Sequence, residues 1–272
     1  MTNKQRSVMS TSNWTAALRL AEQQCPDPYL IDPFAALLCS PGDLAEIGSQ
    51  PGAPLGSVIL RGRLGDEVVR RAVGQGVRQV VSLGAGSDTR LYRLDMPQAG
   101  AVTCFEVDLP GQVSARDAVL RAHGVRSAMR QAVVEADLCD PDWPDALRAA
   151  GWGPDRATVW LLEGLLYYLP PGRSDALLDA ISRLSAPGSS LALDVACASF
   201  FEAPETRDYL DFLATRHSPY LTGIADPHSW LGDLGWKTNA YQCEQLDLCD
   251  LIPPPPARLL TRQHVWLATG TR

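Results

Sequence analysis

Residues 80–93, VVSLGAGSDTRLYR, carry a buried strand into a Gly-x-Gly turn and straight on to the start of a helix. Val80, Val81 and Leu83 supply the apolar strand. Gly84 and Gly86 let the backbone turn and approach a ligand with no Cβ in the way, and Ser87 or Asp88 can cap the following helix. The third glycine of the dinucleotide fingerprint G-x-G-x-x-G is replaced by Thr89. Asp88 at the helix head would repel a phosphate and tolerate a cation. The turn therefore suits a nucleotide-type cofactor that carries no phosphate and has a positive centre. S-adenosylmethionine, a sulfonium, has that charge pattern.

Around this turn, helical and strand periods alternate from about residue 57. Leu60, Leu64, Val68, Val69, Ala72 and Val73 share one helical face, and Gly74 and Gly76 stop that helix before the first strand. Further strands are predicted at 102–108, 132–137, 158–162 and 191–195. The helices between them begin at Pro110, at Asp142 with Pro144, and before Leu177. Repeated units of this length predict an α/β fold with a doubly wound, mostly parallel, seven-stranded sheet. The expected organisation is one domain of residues 1–272. It has an N-terminal helical cap (1–56), a cofactor-binding core (57–196), an insertion after the fifth strand (197–227) and a C-terminal part (228–272). In that last part, 237–245 and 264–268 close the sheet. The insertion carries Phe200, Phe201, Tyr209, Phe212 and Tyr220, and it reads either as a lid over an apolar ligand or as a helical hairpin packed on the core.

Ligands of such sheets lie beyond the carboxyl ends of the strands, so the polar residues there matter most. After the glycine turn come Glu106 and Asp108, then Asp137 with Leu138, then Glu163. Asp108, near twenty residues beyond the glycines, is placed to accept two ribose hydroxyls. Asp137 can accept from an adenine amine while the NH of Leu138 or Cys139 donates to the ring, and Glu163 can face an ammonium group.

Composition limits the alternatives. With 46% hydrophobic residues among 272, the chain can bury a full core, and a net charge of -7 argues against a broad nucleic-acid footprint. The seven cysteines form no C-x-x-C pair and are odd in number, which predicts a reduced set and no structural metal. Neither a signal peptide nor a membrane span is legible, so a soluble, cytoplasmic protein is expected.

The stretches SLGAGSDTRLYRL (82–94), FEVDLP (105–110), ADL (136–138) and EGLLYYLP (163–170) together resemble the leucine carboxyl methyltransferase family, as does TSNWTAALRLAEQQCPDPYLIDPFA near the N-terminus. That family includes enzymes acting on a phosphatase C-terminus and bacterial relatives that methylate carboxyl or hydroxyl groups of polyketides and other small metabolites. The resemblance implies S-adenosylmethionine as cofactor, S-adenosylhomocysteine as product and no metal. It implies that Arg61, preceding the first core helix, pairs with the methionine carboxylate, that Gly84 and Gly86 lie against the cofactor and that Asp108 holds the ribose. Asp137 and Leu138 would frame the adenine, and Glu163 would meet the methionine end. Tyr168 matches a tyrosine beside the transferred methyl group, and Arg63, Asp66, Asp88 and Arg90 are expected to be scaffolding ion pairs. No Lys or Arg lies between Arg6 and Arg19, where family members acting on the phosphatase carry a basic residue, and this turns the reading away from a protein substrate.

The expected activity is O-methyl transfer in secondary metabolism to a carboxylate of a small molecule, free or carried on a carrier or peptide, with a hydroxyl acceptor as the alternative. A carboxylate needs only a cation or donor to orient it, for which Arg207, Arg216 and His217 are candidates, although each also reads as solvated helix surface. A hydroxyl would want a base, and His217 or His228 could serve. A nicotinamide oxidoreductase using Gly84, Gly86 and Asp108, and a cofactor-binding regulator without turnover, are the readings from other classes.

Overall fold

The computed structural model describes residues 3–47 and 55–272. In chain order its N-terminal part runs α1 (Asn3–Gln23), α2 (Pro41–Ile47), α3 (Leu55–Gly74), β1 (Gln79–Leu83) and the single turn α4 (Arg90–Arg93). The middle holds β2 (Thr103–Asp108), α5 (Gln112–Ala122), β3 (Arg130–Glu135), α6 (Trp143–Ala149), β4 (Thr158–Leu162), α7 (Arg173–Leu184) and β5 (Ser190–Cys197). Then come α8 (Arg207–Thr215), β6 (Gly223–Ile224), α9 (Pro227–Gly232), β7 (Lys237–Gln242) and β8 (Val265–Thr271). Residues 1–2 and 48–54 of the expected cap lie outside the described residues.

The sheet runs β3-β2-β1-β4-β5-β8-β7, with β1 to β5 mutually parallel and β8 antiparallel to both β5 and β7. The two-residue β6 pairs with β5 and makes eight strands, one more than predicted. The third strand begins and ends two residues earlier than expected, at Arg130–Glu135, which leaves Asp137 in the following loop. As a sheet edge with little apolar patterning, this strand has no hydrophobic period to mark its ends.

Alternation along the strands sorts side chains onto two faces. Val81, Leu83, Phe105, Trp160, Leu162, Leu191 and Leu193 join one core with Leu177, Leu178 and Ile181 of α7. Val80, Cys104, Val159, Leu161 and Ala192 join the other with Val68, Val69, Ala72 and Val73 of α3. β1 and β4 are buried along their whole length, as central parallel strands covered on both sides must be. The apolar stripe of α3 is the predicted one. The helix stops where Gly76 takes φ 104° and Val77 N–H returns to the Ala72 carbonyl.

A third core joins Trp14 and Leu18 of α1 to Leu60 and Leu64 of α3, Phe200, Tyr209, Leu213, Tyr220 and the C-terminal strand. The insertion after β5 contributes one helix, α8, with short 3-10 turns rather than a helical hairpin. No helix among the described residues is long and apolar enough to cross a membrane.

Candidate active site

β1 has β2 on one side and β4 on the other, so the chain order reverses there and a crevice opens beyond the strand ends. The turn after β1 places Gly84 at φ 69°, its N–H donating to the Val107 carbonyl at 2.8 Å, and Gly86 at φ 47°. A Cβ on Gly86 would stand 2.8 Å from Ser12 Oγ, so α1 lies close over the turn and the Ser12 hydroxyl would have to move aside for a side chain. Ser87 ties this contact: its hydroxyl donates to the Ser12 carbonyl at 2.7 Å, and Arg19 Nη2 donates to the Ser87 carbonyl at 2.7 Å.

Asp108, at the end of β2, reaches back to the turn. Its Oδ2 accepts the Gly86 N–H at 2.7 Å and its Oδ1 accepts the Leu109 N–H at 2.7 Å. Burial pushes its carboxyl up despite these two bonds. Each oxygen keeps further acceptor capacity, so the group is fixed in direction and still able to take two hydroxyl donors.

Glu163, directly after β4, faces the turn from the other strand. Its Oε1 accepts from Arg90 Nη2 at 2.8 Å, while Arg90 also holds Asp66 through Nε at 2.7 Å and Asp88 through Nη1 at 2.6 Å. Arg93 takes both oxygens of Asp66, at 2.5 and 3.0 Å. Burial alone would push Asp66 and Asp88 up, but the two guanidiniums hold both below the usual carboxylate range. Glu163 has the opposite balance: burial, with Asp88 and Asp66 adding to it, outweighs Arg90 and Arg61 and pushes it up to about 7. Asp66, Asp88 and Arg90 thus form the expected ion-pair scaffold. Arg63 does not join it; it pairs with Glu67 at 3.1 Å on the same helix.

Arg61 lies within α3, not ahead of it, and reaches inward. Its Nη1 bonds Asp194 of β5 at 2.9 Å and Tyr167 Oη at 2.7 Å. Both of these bonds use Nη1, and the side chain also lines the cavity. Asp194 was not anticipated, because an acid in the middle of an apolar run carries no pattern of its own.

These groups surround one cavity of about 370 Å3. One side holds Gly84, Gly86, Asp108, Asp137, Leu138 and Glu163, with Arg61 beside them. Asp137 accepts the Cys139 N–H at 3.0 Å, so of the two backbone donors considered for the adenine, Cys139 is committed to this turn. The other side holds Trp14, Tyr167, Tyr168, Tyr209, Tyr220 and Leu221. Tyr168 packs against Tyr220 edge to face at 5.2 Å and against Tyr167 at 4.9 Å. His217, held at φ 57°, lines the cavity as well. The segment bearing it is pinned to the turn after β4, with Leu221 N–H donating to the Tyr167 carbonyl at 2.6 Å and the Thr222 hydroxyl to the Leu169 carbonyl at 2.9 Å.

The other two sequence candidates for an acceptor clamp lie elsewhere. Arg207 is exposed at the start of α8, and Arg216 pairs with Glu46 of α2 and lies over the Phe212 ring at 5.0 Å. Neither lines the cavity. His228 is also absent from its wall and starts α9, where its N–H bonds Asp226. Ser12, Trp14, Thr15 and Arg19 of α1 are cavity residues that sequence reasoning missed; only the helix face they share could have signalled them.

Gly65 measures how tightly the scaffold fits. A Cβ there would lie 2.0 Å from Glu163 Oε1 and 2.9 Å from Arg90 Nη2. Helix propensity favours alanine over glycine by about 1 kcal/mol, yet Gly65→Ala is expected to destabilise by roughly 1–3 kcal/mol because two buried, mutually bonded groups must move. Urea unfolding of the two proteins gives the sign.

Comparison with known proteins agrees with this geometry. The family model described as leucine carboxyl methyltransferase matches residues 12–182. A Mycolicibacterium gilvum protein named as a candidate S-adenosyl-L-methionine-dependent methyltransferase is 42% identical over 206 residues, covering 69% of this chain and 67% of its own. A Mycolicibacterium smegmatis protein of the same designation is 38% identical, covering 92% of this chain and 89% of its own. Among solved structures, a candidate methyltransferase from Thermobifida fusca superposes with TM-score 0.64 over 94% of both chains at 20% identity, which speaks for the fold alone. The chain belongs to the leucine carboxyl methyltransferase family.

Proposed function

We propose that this chain is an S-adenosylmethionine-dependent O-methyltransferase acting on a small molecule. The observation that carries the reading is that the glycine turn, the fixed Asp108 carboxylate, Glu163 and the aromatic wall open into one cavity. The residues fit the cofactor. The Gly86 turn leaves a side chain no room unless Ser12 moves aside, Asp108 offers oriented acceptors for ribose, and the acidic surroundings suit a cationic ligand. Arg61 is then the partner of the methionine carboxylate and Glu163 that of the ammonium, with Asp137 and Leu138 beside the adenine. A dinucleotide is disfavoured because the Asp88 carboxylate and its Arg90 partner occupy the helix head where a pyrophosphate would need free N–H groups.

When bound, S-adenosylmethionine supplies a methyl group on a sulfonium. The chain's part is to orient the acceptor and exclude water, and the aromatic wall with the 217–222 segment does both. A carboxylate acceptor arrives already ionised. A hydroxyl acceptor loses its proton to His217, the imidazole lining the cavity among the described residues. His217 would then pass that proton to water, leaving the acceptor oxygen free to take the methyl group that the cofactor supplies. The buried tyrosines do not act as bases: burial pushes Tyr209 up to about 12 and holds Tyr168 and Tyr220 well above the ordinary tyrosine value. Tyr168 is therefore a hydroxyl donor toward the acceptor oxygen.

Thermal shift tests the cofactor assignment. S-adenosylhomocysteine at a hundred times its Kd is expected to stabilise the protein by roughly 2.7 kcal/mol, with NAD and NADP without effect. Stabilisation by NAD alone would refute the reading, and tight binding without methyl transfer to any acceptor would favour a regulator. The pH dependence follows from Glu163. Its carboxyl, pushed up to about 7, is protonated below that value and meets an ammonium only when ionised. Affinity should therefore rise by up to about tenfold per pH unit toward 7 and level off above it. Glu163→Gln should bind more weakly and lose that slope.

A further inference from the structure

We infer that the acceptor half of the cavity is built for an uncharged, planar, ring-bearing hydroxyl compound and against carboxylates. The inference rests on the methyltransferase reading and deepens it, and charge is its first support. Among the described residues four guanidinium groups, of Arg19, Arg61, Arg90 and Arg93, line the cavity, and each already faces a carboxylate: Asp32 for Arg19, Asp194 for Arg61, and Asp66 for both Arg90 and Arg93. Asp88, Asp108, Asp137 and Glu163 line it too, so seven carboxylates stand in or directly behind a wall with four cations. A surplus of this sign attracts a cationic cofactor and repels an anionic acceptor. Arg61, which lines the cavity, is assigned to the cofactor's carboxylate. Of the remaining sequence candidates for a clamp, Arg207 is out in solvent, Arg216 is paired with Glu46, and His217, which lines the cavity, is the base that a hydroxyl acceptor needs.

Shape and hydrogen bonding are the second support. Tyr168 and Tyr220 meet edge to face at 5.2 Å with ring planes at 80°, and Trp14 stacks on Tyr209 at 6.2 Å and 28°. A wall of aromatic side chains suits a flat ring, since aromatic pairs favour edge-to-face and offset-stacked contacts. The Tyr168 hydroxyl makes no hydrogen bond to another described residue, and it remains protonated, so it is a neutral donor for a ring oxygen. Leu221, exposed at the mouth, extends the apolar wall outward.

The test is calorimetric titration of the protein saturated with S-adenosylhomocysteine, using 2-naphthol, 2-naphthoate and decahydro-2-naphthol. These probes separate charge from planarity without requiring turnover. Naphthol is expected to bind at least about tenfold more tightly than either of the others. Tyr168→Phe should weaken naphthol about fivefold while S-adenosylhomocysteine binds as before. Naphthoate binding as well as naphthol would overturn the charge argument, and decahydronaphthol doing so would overturn the planar one. A complex that takes up none of the three overturns both. Failure to bind S-adenosylhomocysteine in the first place is a separate result that refutes the cofactor reading instead.

Discussion

Asp108→Ala is expected to weaken S-adenosylhomocysteine binding about a thousandfold, because two hydrogen bonds to a charged acceptor are worth roughly 1.5–3 kcal/mol each. The carboxylate is held by the Gly86 and Leu109 N–H groups at 2.7 Å, so the wild-type protein orders nothing new when ribose arrives. Asn is no substitute: its amide nitrogen would have to face one of those two N–H donors, so Asp108→Asn is expected to lose most of the same affinity. The contact can be isolated with a cofactor analogue lacking both ribose hydroxyls. Wild type should lose as much affinity for the analogue as Asp108→Ala loses for the full ligand, and the variant should not distinguish the two ligands. A variant that binds S-adenosylhomocysteine within threefold of wild type would remove the ribose assignment.

The cofactor side was legible in the sequence because its residues sit at strand ends, where hydrophobic runs stop abruptly. Leu83 to Gly84, Val107 to Asp108 and Leu162 to Glu163 are each an apolar strand followed by a residue that core packing cannot explain. Asp137 was read as the end of the third strand; that strand ends at Glu135, and Asp137 lines the cavity from the loop beyond it. The acceptor side was harder to read. Its wall is assembled from α1, the turn after β4, and α8 with the segment that follows it, pieces far apart in sequence and joined by packing rather than by any repeat. Aromatic density in 197–227 pointed to the same wall, to which that stretch contributes Tyr209 and Tyr220. Charge did not, because Arg207 and Arg216 carry no signal of the side on which they lie. The shared third core explains the failure: it is specified by shape complementarity among Trp14, Phe200, Tyr209 and Tyr220, and no period in one segment encodes that.

Arg90→Met should have the largest effect on the fold, a loss of about 3–5 kcal/mol at pH 8, because removing one partner of a buried pair leaves the other uncompensated. Here three carboxylates lose a partner. Asp66 keeps Arg93, while Asp88 and Glu163 keep only weaker contacts, and the Arg90 side chain is itself buried. The pH dependence shows whether charge or lost packing is responsible. In the wild type, Asp66 and Asp88 titrate below their ordinary values, so their contribution is present above that range and disappears as pH falls through the lowered ones. Glu163 runs the other way: between its ordinary value near 4.5 and about 7 the folded state holds the extra proton, so its contribution falls as pH rises through that window. Without Arg90, Asp88 joins Glu163 in this behaviour. The deficit of the variant should therefore shrink by a few kcal/mol between pH 8 and pH 5, whereas a packing defect would be constant across that range. Arg90→Lys keeps the charge but cannot span three carboxylates, and roughly half of the deficit should remain. Adding Glu163→Gln to Arg90→Met should recover stability while leaving the cofactor's ammonium without its partner, which separates the scaffolding role of this cluster from its role in binding.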